Sequence, residues 1–488
     1  MSGTRSLNTE AYWRASLRVL LALLLVSPFL IWLIYISEWE FPPVKEWLPL
    51  VFVSGEQALV SSLLSLFFGW LMFLGAESWI ERRQKQMCEV VLLLPNLTPP
   101  LFLILSLLAW VTPWAAFPYG LNAVIFAHVL MNSGLVAIAL DRLVQSKLGG
   151  MTEAAWTLGA SRYQFWTRVA WPFLKFDLAC LFLFVFSICF TSFSIPFMLG
   201  GETWATLEVA IFDTIRADGR WDKAVILAAG QSLFLLALAV ALPRQFWPPR
   251  PQRRPLPFLG VPQLRQLVFL PALILVGGWL LGLPNSFKAH LEPGVADAVM
   301  ASLALGLSVG LLHLVFFLVT AYASPHLGLQ RFLNGYLSPS SAITGFAMLL
   351  LPGSGETIDF VKLVLALTLI SFPLLYRWIV HAALDGLQNQ ILVARTLGAR
   401  WSTVLFEIVW PQAAPQILRA SGLAAFWGAA DFAITAVVAG DFNTLPLMMT
   451  NLMGNYSLPS AELLMIPLFM VSLGLYGLFT GAARYVSR

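Results

Sequence analysis

The stretch TEAAWTLGASRYQFWTRVAWPFL, residues 152–174, is a polar and basic segment that lies between two long apolar runs. It carries Glu-Ala-Ala at 153–155, a glycine at 159 and a proline at 172. Alanine, leucine and glutamate favour helix, and Gly159 permits a sharp break. Pro172 suits the first turn of a new helix, where its missing N–H is not needed. The stretch therefore predicts two short helices joined by a turn, outside the membrane and leading into a membrane span.

The same pattern returns in LVARTLGARWSTVLFEIVWPQ, residues 392–412. Gly398 and Pro411 are separated by 411 − 398 = 13 residues, as are Gly159 and Pro172 (172 − 159 = 13). The second copy departs from the pattern at its start, where Leu392 stands in the place of Glu153. A pair of amphipathic linkers at the membrane surface could have a similar composition. Two matches at equivalent places favour a duplicated functional loop.

The composition is that of a membrane protein. Hydrophobic residues make up 59% of the chain and charged residues 11%, whereas a soluble globular chain has about 25% charged residues. We therefore expect an all-α polytopic membrane protein surrounded by lipid. The net charge of +4 does not indicate a nucleic-acid partner, because the basic residues sit in short loops between apolar runs.

The apolar runs predict about twelve transmembrane helices in two parallel six-helix repeats. The first run is about one bilayer long and lacks a cleavage site after it, so we expect it to be retained. The predicted spans lie near 17–36, 58–78, 88–111, 120–141, 173–200 and 223–243, and near 266–284, 296–323, 336–352, 360–382, 413–438 and 460–483.

The predicted organisation has three parts. Residues 1–242 form a first half with its loop at 145–172, and residues 266–488 form a second half with its loop at 384–411. A basic, proline-rich and semi-stiff cytoplasmic linker is expected to join them at 243–265. The halves repeat at an offset near 239, which pairs Gly159 with Gly398, Pro172 with Pro411, Gly201 with Gly440 and Pro100 with Pro339.

Charge in the loops predicts the orientation. Basic residues cluster at the N-terminus, in the loop after the second predicted span, in the linker and at the C-terminal end. They are Arg5, Arg14, Arg18, Arg82, Arg83, Lys85, Arg253, Arg254, Arg484 and Arg488. The intervening loops are acidic, with Glu38, Glu40, Glu208, Asp213, Asp218, Glu356 and Asp441 among their residues. Both termini and both glycine-proline loops are therefore expected in the cytoplasm.

Two features are absent from the sequence. There is no G-x-x-x-x-G-K-[ST] motif that could cradle ATP phosphates, and no predicted external loop is long enough to fold into a solute-binding domain. ATP hydrolysis and solute capture are therefore expected on separate subunits.

The chain shows no catalytic constellation and no cofactor motif. Cys88, Cys180 and Cys189 have no metal-binding spacing, and we expect no disulfide between them.

The two loops resemble the EAA loops of binding-protein-dependent ABC importers, the cytoplasmic segments that dock on the ATPase subunit. With TLEVAIFDTIR at 206–216, the chain is similar to the fused permeases of the thiamine and iron(III) importers. The resemblance implies a type I ABC importer fold in the bacterial inner membrane and transport by alternating access. It also implies two copies of a cytoplasmic ATPase and one periplasmic solute-binding protein.

The resemblance marks candidate docking residues, in which small alanines allow close approach and Glu153 offers a carboxylate to a basic partner. They are Glu153, Ala154, Ala155 and Gly159 in the first loop, and Val393, Ala394 and Gly398 in the second. A simpler interpretation, compatible with docking, is that Gly159 and Gly398 only end their helices.

Four polar residues inside predicted spans are candidates for the translocation path. A carboxylate at membrane depth is costly and usually faces a cavity or a partner, which singles out Asp431. Thr191, Ser192 and Ser194 occupy the matching region of the first half. Such hydroxyl residues also serve as packing contacts between helices. His128 and His313 are intramembrane, and no second metal ligand is near either in sequence.

An ion-coupled secondary transporter with six-plus-six repeats is the alternative. It would share the linker and the topology, but would favour more charged residues within the spans, where Asp431 is nearly alone. The residues do not determine the transported solute.

Overall fold

The computed structural model of the chain describes residues 2–35, 41–79, 81–201, 204–241, 256, 258–287, 293–323, 329, 333, 340–438, 440, 442–455 and 457–486. Across these ranges the regular structure is helical, and no strand occurs. The prediction of an all-α protein is confirmed.

Within the described residues, nine helices of six residues or more precede the linker. They are α1 Ser2–Tyr35, α2 Val44–Ala76, α3 Arg82–Leu97, α4 Pro100–Val111, α5 Leu121–Thr157, α6 Trp171–Phe190, α7 Ser194–Leu199, α8 Leu207–Arg216 and α9 Trp221–Ala241. A short helix, Arg162–Gln164, and a π-helix, Phe165–Ala170, lead directly into α6.

The helices after the linker follow the same pattern. They are α10 Arg265–Ser286, α11 Val295–Ala323, α12 Ser341–Leu350, α13 Glu356–Leu375, α14 Gln388–Thr396, α15 Trp410–Ala429, α16 Ala433–Val438, α17 Leu445–Gly454 and α18 Leu458–Val486. A 3₁₀ turn, Pro262–Leu264, precedes α10; the π-helix Tyr376–Val380 and the helix His381–Asp385 extend α13. The helix Trp401–Thr403 and the π-helix Val404–Val409 lead into α15.

The offset of the predicted repeat is present in these bounds. Helices α6 and α15 begin at Trp171 and Trp410 (410 − 171 = 239). The next pair, α7 and α16, begins at Ser194 and Ala433 (433 − 194 = 239). The two halves therefore share local structure residue by residue in this region.

Eight described helical segments are long and apolar enough to cross a membrane, and nine if α3 and α4 together form one span. The α3–α4 pair bends by 92° at the break before Pro100. Pro99 and Pro100 cannot donate backbone hydrogen bonds, so the break there has a direct cause. Its counterpart Pro339 lies outside the described residues.

The spans predicted at 173–200 and 413–438 are not continuous helices. The first consists of α6 and α7, and the second of α15 and α16, with non-helical residues between them. In both halves the break falls where polar residues replace the apolar run: Thr191 and Ser192 in the first half, Asp431 in the second. Such side chains compete for backbone hydrogen bonds and so favour helix ends.

The chain forms two compact units. The first unit contains Phe41–Arg220 and Val240–Ala289, so helix α10 packs here, on α2, α3 and α4. Close approach needs glycine: a Cβ on Gly278 would lie 2.2 Å from the carbonyl oxygen of Ser106 in α4. Trp110 fixes the same contact by donating its indole N–H to the carbonyl of Ile274, at 2.8 Å.

The second unit contains Met1–Glu40, Trp221–Ala239 and His290–Arg488. Its core is formed by α15 and α18 around Leu418, Ala425, Ala429, Leu475, Phe479 and Ala483. Helix α1 packs on α11 and α12 in this unit, where Trp32 donates its indole N–H to the carbonyl of Ile343 at 2.9 Å. The first helix of each sequence half therefore packs in the unit that holds the other half's loop, which the sequence pattern did not indicate.

Candidate functional site

The first loop, residues 145–172, turns at the end of α5 through a Schellman motif. The amide of Ala160 donates to the carbonyl of Ala155 at 3.0 Å, and the amide of Gly159 donates to that of Trp156 at 2.9 Å. Gly159 has a φ of 74°, in the left-handed region that glycine enters without steric cost. The glycine is thus required by the backbone conformation of the turn.

The second loop, residues 384–411, makes the same turn at the end of α14. Ala399 N–H donates to the carbonyl of Ala394 at 3.0 Å, and Gly398 N–H to that of Arg395 at 3.1 Å. The φ of Gly398 is 87°. The turn predicted at each glycine is therefore present in both copies.

The two loops differ directly after the turn. In the first, Ser161 and Gln164 form a reciprocal capping box: the Gln164 amide donates to Ser161 Oγ at 3.2 Å, and the Ser161 amide donates to Gln164 Oε1 at 2.9 Å. Arg400 takes the cap position in the second loop and makes no side-chain cap. A capping box satisfies two otherwise unpaired amides, so the helix after the first turn has the stronger local start.

Pro172 and Pro411 lie in the first turn of α6 and α15, as the sequence predicted, but each of these helices continues directly from the helical residues before it. Each proline lies inside a helical run that widens into a π-helix before it, so that Trp171 N–H reaches the carbonyl of Trp166, and Trp410 N–H that of Leu405. Proline lacks the N–H for the carbonyl four residues earlier, and its ring crowds that carbonyl. The extra residue of the π-helix accommodates the proline without ending the run.

The candidate docking residues lie on or beside exposed surface. Glu153, Ala154 and Gly159 are exposed, and Ala155 is buried. In the second loop Val393 and Gly398 are exposed and Ala394 is half-buried. The structure thus places each set at the end of one helix and in the turn that follows it, although the alanines differ in exposure.

Sequence reasoning missed two residues of these loops. Leu158 and Leu397, each directly before the turn glycine, are 86% and 82% exposed. The same position is therefore exposed and apolar in both copies. The signal was present in the sequence as the shared TLGA of 157–160 and 396–399.

The candidate path residues lie at the two helix breaks. Thr191 donates its hydroxyl to the carbonyl of Ser187 at 2.9 Å, and Ser192 and Ser194 flank the start of α7. All three are partly exposed.

Asp431 has a local structural role at the second break. Its carboxylate accepts from the amides of Ile434 at 2.8 Å and Thr435 at 3.1 Å, at the beginning of α16. It therefore caps a short helix, and its other surface is partly exposed.

The intramembrane histidines have local partners. His313 pairs through Nδ1 with the carbonyl of Val309 and through Nε2 with the hydroxyl of Ser371. His128 Nδ1 pairs with the amide of Gln57. Among the described residues, no cluster of three or more His, Cys, Asp or Glu side chains could hold a metal ion. Cys88, Cys180 and Cys189 are buried free thiols.

Comparison with characterised proteins gives several related transport permeases. The thiamine transport system permease protein ThiP of Escherichia coli is 25% identical over 485 residues, covering 86% of this chain and 88% of the relative. ThiP of Salmonella typhimurium is 27% identical over 419 residues, 76% of each chain. The ferric transport system permease protein FbpB of Actinobacillus pleuropneumoniae is 27% identical over 212 residues, covering 40% of this chain and 30% of the relative. No protein-family model matches the chain.

The membrane-length helices and these relatives support an ABC transporter permease, a multi-pass protein of the inner membrane. It resembles the fused thiamine and ferric transport permeases, as the duplicated loops had suggested, and has the fold of that importer class.

Proposed function

We propose that this chain is the transmembrane subunit of an ATP-driven importer. It provides the path for a small solute that a periplasmic binding protein delivers, and it works without a cofactor of its own. Loops 145–172 and 384–411 each dock on a separate cytoplasmic ATPase subunit, which carries out ATP hydrolysis. The termini and both loops lie on the cytoplasmic side.

One observation carries this proposal: both loops present the same turn and the same exposed leucine. The Schellman motif fixes the backbone, and Leu158 and Leu397 project from it with 86% and 82% exposure. An exposed leucine gains free energy only when a partner covers it. Two matched projections suit a partner that is itself present in two copies.

The small residues beside the leucines support the same partner. Ala154 on the first loop offers no bulk on the exposed face, so a partner surface can approach the helix closely. Glu153 adds a carboxylate on the first loop, and Leu392 offers an apolar side chain in its place on the second. The two docking contacts are therefore alike in shape and unlike in charge.

The helix breaks support a path through the transmembrane helices. Irregular backbone at membrane depth persists where it lines a cavity or is covered by protein. Thr191, Ser192, Ser194 and Asp431 are the polar, partly exposed residues at the two breaks, and we assign them to the path. The names of the relatives suggest thiamine or iron(III) as the class of solute.

Transport into proteoliposomes tests this function. The permease is reconstituted with its ATPase and the ligand-loaded binding protein, and radiolabelled thiamine or iron(III) is followed with ATP present on the ATPase side. Uptake that requires ATP and binding protein is expected. Uptake driven by a proton or sodium gradient without ATP would instead identify an ion-coupled secondary transporter.

A further inference from the structure

The end of the linker forms a strap on the first loop. The strap consists of Leu256 and residues 258–264. Arg162, the first residue after the loop's capping serine, donates from Nε to the carbonyl of Phe258 at 2.8 Å and from Nη2 to that of Gly260 at 2.6 Å. Two charged donors of one side chain thus bind two backbone carbonyls of the strap, and hydrogen bonds to charged groups are stronger than neutral ones.

The Phe258 ring contacts both arms of the turn. It stacks on Trp156, before Gly159, with the ring centroids 6.3 Å apart and the planes at 22°. It meets Phe165, after the turn, edge to face at 6.1 Å. A single ring from the strap therefore joins the helix that enters the turn to the helix that leaves it.

The strap is itself anchored to the end of α2. Val261 N–H donates to the carbonyl of Leu74 at 2.8 Å, and Arg265 donates to the hydroxyl and the carbonyl of Ser78, each at 2.7 Å. A Cβ on Gly260 would lie 2.5 Å from Ser78 Cα, so the strap backbone lies directly on this residue. The strap is a fixed part of the first unit, bound at the loop and at the helix end.

The second loop is held by different chemistry. Trp401, which corresponds to Arg162 at the offset of 239, is 4% exposed. The guanidinium of Arg14, in α1, lies 3.6 Å from the centre of its ring. Arg14 Nε also donates to the carbonyl of Tyr322 at the end of α11, at 3.0 Å. Arg162 of the first loop therefore binds backbone carbonyls of the strap, whereas Trp401 of the second loop packs against the guanidinium of Arg14.

We propose that Phe258 and Arg14 are positioning residues, each of which holds one loop in the conformation that presents its leucine to the ATPase. This proposal rests on the docking function proposed above. The linker is then a working part of the first docking site as well as a tether between the halves. The two sites are held independently, so each can be loosened without the other.

Amide hydrogen exchange on the purified permease without ATPase tests the holding role directly. The reporters are the amides of 158–160 and, as a matched internal control, those of 397–399, which make the same hydrogen bonds. Phe258→Ala is expected to speed exchange at 158–160 roughly two- to tenfold, the range of an aromatic pair, and to leave 397–399 unchanged. Arg14→Gln should speed exchange at 397–399 and leave 158–160 unchanged.

Two further variants separate a local effect from misfolding. Phe258→Tyr keeps the ring and should restore slow exchange at 158–160, and Phe258→Leu keeps apolar bulk without ring stacking and should give an intermediate rate. Unchanged exchange in Phe258→Ala, or equal acceleration in both loops, would overturn the holding role.

ATPase retention on the detergent-purified permease completes the test. Phe258→Ala should weaken retention and Phe258→Tyr should not. Faster exchange at 158–160 with wild-type retention would overturn the positioning role. Failure of the docking function itself has a different signature: Leu158→Asp and Leu397→Asp would retain the ATPase, although Phe258→Ala still altered exchange.

Discussion

Leu158 and Leu397 occupy the same position in two copies of one turn, directly before a glycine with positive φ, and both side chains project into solvent. They are separated by 397 − 158 = 239 residues, the offset that also relates the helices on either side. Neither leucine is needed to form the turn, which is closed by backbone hydrogen bonds. Both side chains are therefore available to the partner proposed above.

Substitution of these leucines should release the ATPase. Burying a leucine contributes about 1.5–3 kcal/mol, so Leu158→Ala should weaken ATPase association roughly tenfold or more. Leu158→Asp combined with Leu397→Asp should abolish retention, because a carboxylate would be buried at each contact. Leu158→Met is the matched control and should bind as wild type. Retention by the double aspartate variant in pull-down from detergent would refute docking at these residues.

The turn glycines should tolerate few residues. A left-handed conformation costs a non-glycine residue about 1–2 kcal/mol, although a Cβ at Gly159 would meet nothing within 4 Å. Gly159→Val should therefore uncouple transport while the protein remains in the membrane, and Gly159→Asn should be milder. Gly150→Ala is the control: this glycine lies within α5, also in open space, and alanine is favoured there. Vesicle transport at the wild-type rate in Gly159→Val would contradict the assignment.

The carboxylate of Glu153 should make one docking site sensitive to salt. Ionic strength screens exposed charges beyond about 8–10 Å. Raising the salt concentration should therefore weaken wild-type ATPase retention more than that of Glu153→Ala, whereas Leu392→Ala should lose only apolar packing. Retention across a salt series measures the difference. Equal slopes for wild type and Glu153→Ala would mean that Glu153 serves only the local helix.

At the second helix break, charge and capping can be separated. Asparagine caps a helix as well as aspartate does, so Asp431→Asn should keep the thermal stability while removing the charge. If Asp431 belongs to the path, transport by this variant should fall several-fold with normal ATPase retention. Asp431→Ala should also lower stability, by about 0.5–2 kcal/mol. Wild-type transport in Asp431→Asn would show that the carboxylate is a helix cap alone.

The orientation predicts opposite labelling of two single cysteines. Asp218→Cys, in the short turn after α8, should react with an impermeant maleimide from the periplasmic side. Gln252→Cys, in the linker and outside the described residues, should react only from the cytoplasmic side. The native thiols at 88, 180 and 189 are buried, which favours a low background. Labelling of both cysteines from one side would refute the topology.

Much of each loop could be predicted because the decisive forces act between neighbours in sequence. Gly159 ends α5 because only glycine enters its conformation freely. The effect of Pro172 was harder to predict: the missing N–H was foreseen, but the π-helix that absorbs it was not. Asp431 illustrates the same limit. The free-energy cost of a carboxylate at membrane depth could be inferred from the sequence, but its role as the cap of α16 could not, because it depends on the position of the helix break.

By itself, the sequence determined the helical membrane class, the repeat at an offset of 239 and the two glycine turns, because composition and short-range backbone chemistry encode them. Tertiary structure alone decided that α1 packs in the unit of the second loop and α10 in that of the first. Helices that are apolar on all sides have no distinct apolar face, so their sequence does not indicate which helix they pack against. It also decided that Phe258 would meet Trp156, since contacts between residues about a hundred positions apart depend on complementary surfaces that form only when the helices are packed.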